Sequence, residues 1–130
     1  MASKAKNPFT WVEIYVDDLQ RAKKFYETVL DVKLVELPLT EEMVDIEMLS
    51  FPGVENGENI SGALVKSQTT RPGPGGTIVY FTCDDCSVEE SRVESAGGKV
   101  LDPKMSLGDY GYCSMILDTE GNSIGLHSMQ

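Results

Sequence analysis

The chain has few basic residues, few cysteines and no long apolar run, and each scarcity removes a class of function. Lys and Arg number 11 against 21 Asp and Glu, and the formal net charge is −10. Phosphate contacts need clustered cations, so this balance argues against nucleic acid and against an anionic membrane surface as partners. It fits a solvated acidic surface that aids solubility. No apolar stretch approaches the ~20 residues that span a bilayer. The N-terminal stretch Met1 to Asn7 is polar and lysine-bearing, without the apolar core of a secretory signal, so a cytoplasmic location is the expectation. Three cysteines are an odd number and do not suggest a disulfide scaffold. There is one histidine and one tryptophan.

Two of the cysteines stand as Cys83-Asp84-Asp85-Cys86. CxxC spacing has three readings. A structural zinc site wants two further ligands, and only Cys113 and His127 remain. A redox pair sits at a helix N-terminus, about where this one falls. The third reading is a packing role, which the alternation of Cys83 with Val79 and Phe81 on one apolar strand face favours.

With 130 residues, 41% of them hydrophobic and 25% charged, the chain has the size and balance of one globular domain. From Val12 to Val16 apolar residues alternate with Glu13 and Tyr15, the period of a strand. Asp17 and Asp18 follow, either able to cap a helix. Leu19, Ala22, Phe25, Tyr26, Val29 and Leu30 then recur at helical spacing. Strands are expected at Val32 to Leu37, Met43 to Phe51 and Ile60 to Lys66, with a turn over Pro52 to Asn59. The stretch 67–76, with its Pro-Gly-Pro-Gly run, reads as a linker. Afterwards the order repeats. Thr77 to Cys83 is a strand. Ser87 and Glu90 have capping-box spacing, with Val88, Arg92, Val93 and Ala96 continuing a helix to Gly97-Gly98. Strands follow at Lys99 to Asp102, Tyr110 to Leu117 and Ser123 to His127, the last two joined by a turn at Asp118 to Asn122. An offset of 67 residues superposes Val12 on Val79, Asp17-Asp18 on Asp84-Asp85 and Glu27 on Glu94. The expected class is therefore α+β, with two tandem βαβββ modules at about 9–66 and 77–128 in a single domain. Each sheet has one helix-covered face, and the other faces would line a cleft.

These residues resemble a known family. The run from Val12 to Glu27, a strand, an Asp-Leu cap and an Ala-x-x-Phe-Tyr helix, looks like the opening of vicinal oxygen chelate proteins, the glyoxalase/bleomycin resistance/dioxygenase superfamily. The turn Asp118-Thr-Glu-Gly-Asn122, followed by Ile124 to His127, is similar to their close. The resemblance implies a curved mixed sheet around a cleft, a small-molecule ligand and a homodimer. The family's metal enzymes place ligands at the start of the first strand and on the last strand of each module. Those positions fall near Trp11, Gly62, Ile78 and Gly125, and none supplies the usual His, Gln or Glu. The resemblance thus implies the cleft without the metal, and no cofactor is expected.

Parity places Trp11, Glu13 and Tyr15 on one side of the first strand, Ile78, Tyr80 and Thr82 on one side of the fifth, and Gly125 with His127 on the last. Glu13 is the candidate general base, or else a carboxylate satisfied by neighbouring donors. Trp11, Tyr15, Glu47, Tyr80, Thr82 and His127 are candidate ligand contacts, although strand aromatics also serve as core or interface. Ser61-Gly62 and Gly108 to Gly111 suit close backbone approach. Three functions compete: metal-independent binding of a small molecule, like the family's sequestering resistance proteins; a lyase or isomerase using Glu13 with an atypical metal site; and a non-catalytic structural or regulatory partner.

Overall fold

The computed structural model describes residues 7–53 and 60–130, the side chain of Val29 excepted. Most of the turn expected at Pro52 to Asn59 lies outside these residues. Two compact units are formed, one of Trp11–Ile78 and one of Val79–Gln130 together with the described residues before Trp11.

The first unit holds β1 (Phe9–Tyr15, from Trp11 onward), α1 (Leu19–Leu30), β2 (Val35–Glu36), β3 (Ile46–Ser50) and β4 (Ser61–Ser67), with the strands ordered β2-β3-β4-β1. β1 and β4 are parallel, with Glu13 opposite Ala63 and Ile14 opposite Leu64. The β3–β4 and β2–β3 pairs are antiparallel. The second unit holds β5 (Thr77–Thr82, from Val79 onward), α2 (Cys86–Glu90), β6 (Lys99–Ser106), a 3₁₀ turn (Gly108–Tyr110), β7 (Tyr112–Leu117) and β8 (Ser123–Ser128), with the strands ordered β5-β8-β7-β6. Here β5 and β8 are parallel, while β7–β8 and β6–β7 are antiparallel. Both units thus have βαβββ order, with the first and last strands parallel neighbours and the remaining pairs antiparallel. The fold class is α+β with two tandem modules.

The helix starts repeat as well. Asp18 caps α1 by accepting from the Arg21 N–H at 3.0 Å, and Asp85, 67 residues later, caps α2 by accepting from the Ser87 N–H at 3.0 Å. Leu19, Leu34, Leu49 and Leu64 form a buried cluster, with Ile14, Val16, Ala22, Tyr26 and Phe51 packed against it. Phe25 and Leu30, assigned to the apolar stripe of α1 by spacing, are instead 58% and 53% exposed. The stripe that packs is narrower than the periodic one. Met48, Ala63 and Val65, of opposite strand parity, form a second cluster beneath Trp11, Tyr15, Leu37 and Ile46.

Several boundaries differ from the sequence reading. β2 shrinks to Val35–Glu36. β3 begins only at Ile46, because Asp45 turns the chain with φ 62°. α2 ends at Glu90. Beyond it Arg92 and Val93 donate to Glu89 and Glu90, three residues back, which is turn rather than α-helical bonding. The capping box does not form: Asp85 takes the Ser87 N–H, and Glu90 Oε1 accepts from the Lys104 N–H at 2.6 Å. β6 runs through Pro103 to Ser106 with two register shifts against β7. An edge strand tolerates a proline that a central one does not.

Candidate active site

The first unit gathers three of the predicted residues around one carboxylate. Trp11, Glu13 and Tyr15 alternate along β1 on the face away from α1, because strand side chains repeat with period two. Glu13 is 7% exposed, and Ala63, fully buried, is its neighbour on β4. The Trp11 indole N–H donates to Glu13 Oε2 at 3.1 Å, and the Tyr15 hydroxyl donates to Oε1 at 2.6 Å. Two neutral aromatic donors therefore fix the carboxylate in place without adding charge. Ala63 lies opposite it, and Met48 and Val65 share the same apolar sheet face.

Glu47 is not part of this group. It pairs with Lys66 in the β3–β4 register, while Met48 pairs with Val65 and carries the Glu13 side. One step of parity puts Glu47 on the α1 side of the sheet, where it is exposed. There it borders a surface depression of about 680 Å³ that also involves Asp17, Asp45, Lys66 and Arg71. Arg71 Nε lies 3.2 Å from Asp17 Oδ1, and Lys66 Nζ donates to the Asp17 carbonyl at 2.9 Å. The depression is a solvated mixture of opposite charges.

In the second unit Tyr80 faces Gly125 and Thr82 faces His127 in the β5–β8 register. The Tyr80 ring occupies the space a Cβ at Gly125 would need, its nearest atom 2.2 Å from that point. His127 Nε2 lies 2.6 Å from the Tyr110 carbonyl oxygen. A carbonyl only accepts, so Nε2 carries the proton and His127 ties the 3₁₀ turn to β8. Thr82 is exposed, and its backbone N–H donates to the Pro8 carbonyl at 2.8 Å.

A second polar network, one that sequence reasoning missed, holds α2 to β6 and β8. Lys104 Nζ donates to Asp85 Oδ1 at 2.8 Å and to the Gln130 carbonyl at 3.1 Å, and it lies 4.7 Å from the Tyr112 ring centroid. The Cys86 N–H donates to Ser128 Oγ at 3.0 Å. The Lys104 ammonium, with the Ser87 hydroxyl and N–H, holds the Asp85 carboxyl down at about 2. The only signal in the sequence was Asp85 at the repeat position of Asp18.

The cysteines are free thiols, and Cys86 and Cys113 are buried. Burial, reinforced by the Glu89 carboxylate, pushes the Cys83 thiol up to about 12. A thiol that resists ionisation is a poor nucleophile and a poor metal ligand. Among the described residues no group of three or more His, Cys, Asp or Glu is arranged to hold a metal ion. The donor set at the family's ligand positions does not fit a metal. Trp11 donates its N–H to Glu13, and Ile78 is an apolar buried residue. A Cβ at Gly62 would lie 2.1 Å from the Val12 carbonyl oxygen, and one at Gly125 would enter the Tyr80 ring.

Comparison with known proteins agrees with this architecture. The family model of the Glyoxalase/Bleomycin resistance protein/Dioxygenase superfamily matches residues 9–126. The chain belongs to this superfamily. "Putative glyoxylase CFP32" of Mycobacterium bovis and its Mycobacterium tuberculosis counterpart are each 27% identical to it over 123 residues, 89% of this chain. The chain spans 43% of the length of these relatives. Among solved structures, methylmalonyl-CoA epimerase from Mycobacterium tuberculosis is 16% identical with a TM-score of 0.68, covering 100% of this chain and 93% of that one. A Streptomyces coelicolor methylmalonyl-CoA epimerase variant in complex with 2-nitronate-propionyl-CoA is 14% identical with a TM-score of 0.67, covering 94% and 96%. At these identities the likeness shows the fold. No helix among the described residues is long and apolar enough to cross a membrane.

Proposed function

We propose that this superfamily member binds a small organic molecule against Trp11, Glu13 and Tyr15, without a metal ion at the family's usual positions. The observation that carries the reading is the Glu13 carboxylate, 7% exposed and held by an aromatic donor at each oxygen. Burying a carboxylate is costly even when it is hydrogen-bonded, and an apolar residue of similar volume would serve packing better. A preorganised polar group on an aromatic, apolar face is the usual make-up of a ligand site. The glycines at two of the four family ligand positions, and the lack of room for a Cβ at either, favour the metal-independent form.

Trp11 is the only tryptophan, so fluorescence excited selectively at tryptophan reports on this face. Ligands found by thermal-shift screening should change that fluorescence saturably. Glu13→Gln, which keeps shape and removes charge, should weaken binding about ten-fold while leaving the melting temperature within a few degrees. Hits that bind without affecting Trp11 fluorescence, and equally well to Glu13→Gln, would place binding elsewhere and sink the proposal. About one equivalent of transition metal in protein purified without chelator would overturn its metal-independent part.

A second reading is a lyase or isomerase with Glu13 as general base. It is favoured by the fixed orientation of the carboxylate, since geometry comes first for a base. Turnover that survives Glu13→Gln would end it.

A further inference from the structure

We infer that the sheet of the second unit carries, on its face away from α2, a site for a soft metal ion, copper(I), built from Cys113, His127, Met105 and Met115. The register of three neighbouring strands puts these donors together. Cys113 of β7 stands opposite His127 of β8 on one side and opposite Met105 of β6 on the other. Residues directly opposite across antiparallel strands share a face, with Cβ atoms about 5 Å apart. Met115 lies two residues along β7 and therefore on that face too. Ser128 and Lys104, the chain neighbours of His127 and Met105, point the other way, where they bond the Cys86 N–H and the Asp85 carboxylate at the start of α2. Met129 brings a further thioether to the same end of the sheet, its sulfur 3.0 Å from the point a Cβ on Gly111 would occupy.

His127 is held as a ligand is held. Its Nε2–H donates to the Tyr110 carbonyl at 2.6 Å, which leaves Nδ1 as the nitrogen with a lone pair. Among the described residues no hydrogen bond reaches Nδ1. Metal-binding histidines are commonly oriented in this way, with the far ring N–H on a backbone carbonyl. Cys113 is 6% exposed and Met115 half-buried, whereas Met105 is 39% exposed, so the donor set is closed at its centre and open to an entering ion at its rim. The donor types choose the ion. Zinc takes about four Cys, His or carboxylate ligands, and among the described residues no three such groups come together. Thiolate and thioether sulfur with imidazole suit copper(I). On binding, the Cys113 thiol passes its proton to solvent, while neutral His127 has none to give up at Nδ1. None of the four residues stands at the family's ligand positions.

The test is titration of the full chain with copper(I), kept reduced without oxygen, against a chromogenic cuprous chelator. The chain should withdraw about one equivalent from the chelator. Cys113→Ser should weaken retention about a hundred-fold, and Met105→Leu, of similar volume at an exposed position, about ten-fold. Cys83→Ser should retain copper as the unmodified chain does. Isotope-labelled methionine methyls locate the ion: of the six, those of Met105 and Met115 should shift, and those of Met43 and Met48 should not. Methyls of Met105 and Met115 that stay unmoved at saturation overturn the inference in the unmodified protein, whether or not the variants fold. Full retention in folded Cys113→Ser, or loss in folded Cys83→Ser, overturns it too. Zinc(II) held as tightly as copper(I) overturns the choice of a soft ion. Metal purified with the chain is assigned the same way: lost in Cys113→Ser, it belongs to this site, and kept there, it counts against the metal-independent reading of the Trp11 face.

Discussion

The first unit buries Leu19, Leu34, Leu49 and Leu64 between α1 and its sheet, whereas the second buries Cys86, Cys113, Ser114 and Ser128 alongside Leu126. The strand order is the same in both, and so is the aspartate that starts each helix. What differs is how the helix is held. α1 has 12 residues and enough apolar surface to dock by burial. α2 has five, buries Cys86 completely, and is also held at its N-terminus by Lys104 and Ser128. One topology thus accepts a long helix fastened by apolar packing or a short one whose buried cysteine is supplemented by a polar network.

The contrast can be broken by substitutions at equivalent depth. Leu64→Ala, at a fully buried leucine, should cost about 2–5 kcal/mol in chemical denaturation. Ser114→Ala, equally buried, loses only the Oγ bond to the Asp102 carbonyl at 3.3 Å and should cost about 1 kcal/mol. Equal costs would mean that the second unit depends on packing after all.

The two caps give a finer comparison. Asp18→Ala removes one side-chain bond to an exposed helix start and should cost about 1 kcal/mol. Asp85→Ala also releases Lys104 and should destabilise more. Thermal melts of the two variants would rank them, and the reverse order would show that the Lys104 network contributes nothing.

The smallest effect is in the pH dependence. The Asp85 carboxyl titrates at about 2 in the folded chain, below its ordinary value of 3.8. A depressed folded-state value means stability that is fully present above the unfolded value and lost as pH falls from about 4 through about 2. Lys104→Met should flatten the acid limb of stability against pH in that window, and an unchanged slope would detach Asp85 from the acid response.

The repeat was legible because it is local. An Asp-Asp pair after an alternating strand needs no partner to be recognised, and Asp18 and Asp85 both prove to be caps. The shared face of Trp11, Glu13 and Tyr15 follows from parity within one strand. Glu47 was misplaced because its face depends on register with β4 and on the turn at Asp45, where φ is 62°. Neither can be read within one strand. Ser87 and Glu90 satisfied a local pattern, but partners outside it, Asp85 and the Lys104 N–H, compete for the same groups. Lys104 itself carried no local mark, since its partners lie 19 and 26 residues away in the chain.

The space over Gly125 leaves a metal-donor side chain hard to place there. A donor side chain returned to that position would meet the Tyr80 ring, with the nearest ring atom 2.2 Å from its Cβ, and one at Gly62 would meet the main chain itself. No single substitution at either place can be neutral on the way to a ligand set. At Gly125 Tyr80 must first yield to a smaller residue, and at Gly62 the β1–β4 pairing must shift. A ligand set at these two positions therefore calls for coupled changes, one in the Tyr80 side chain and one in the strand pairing.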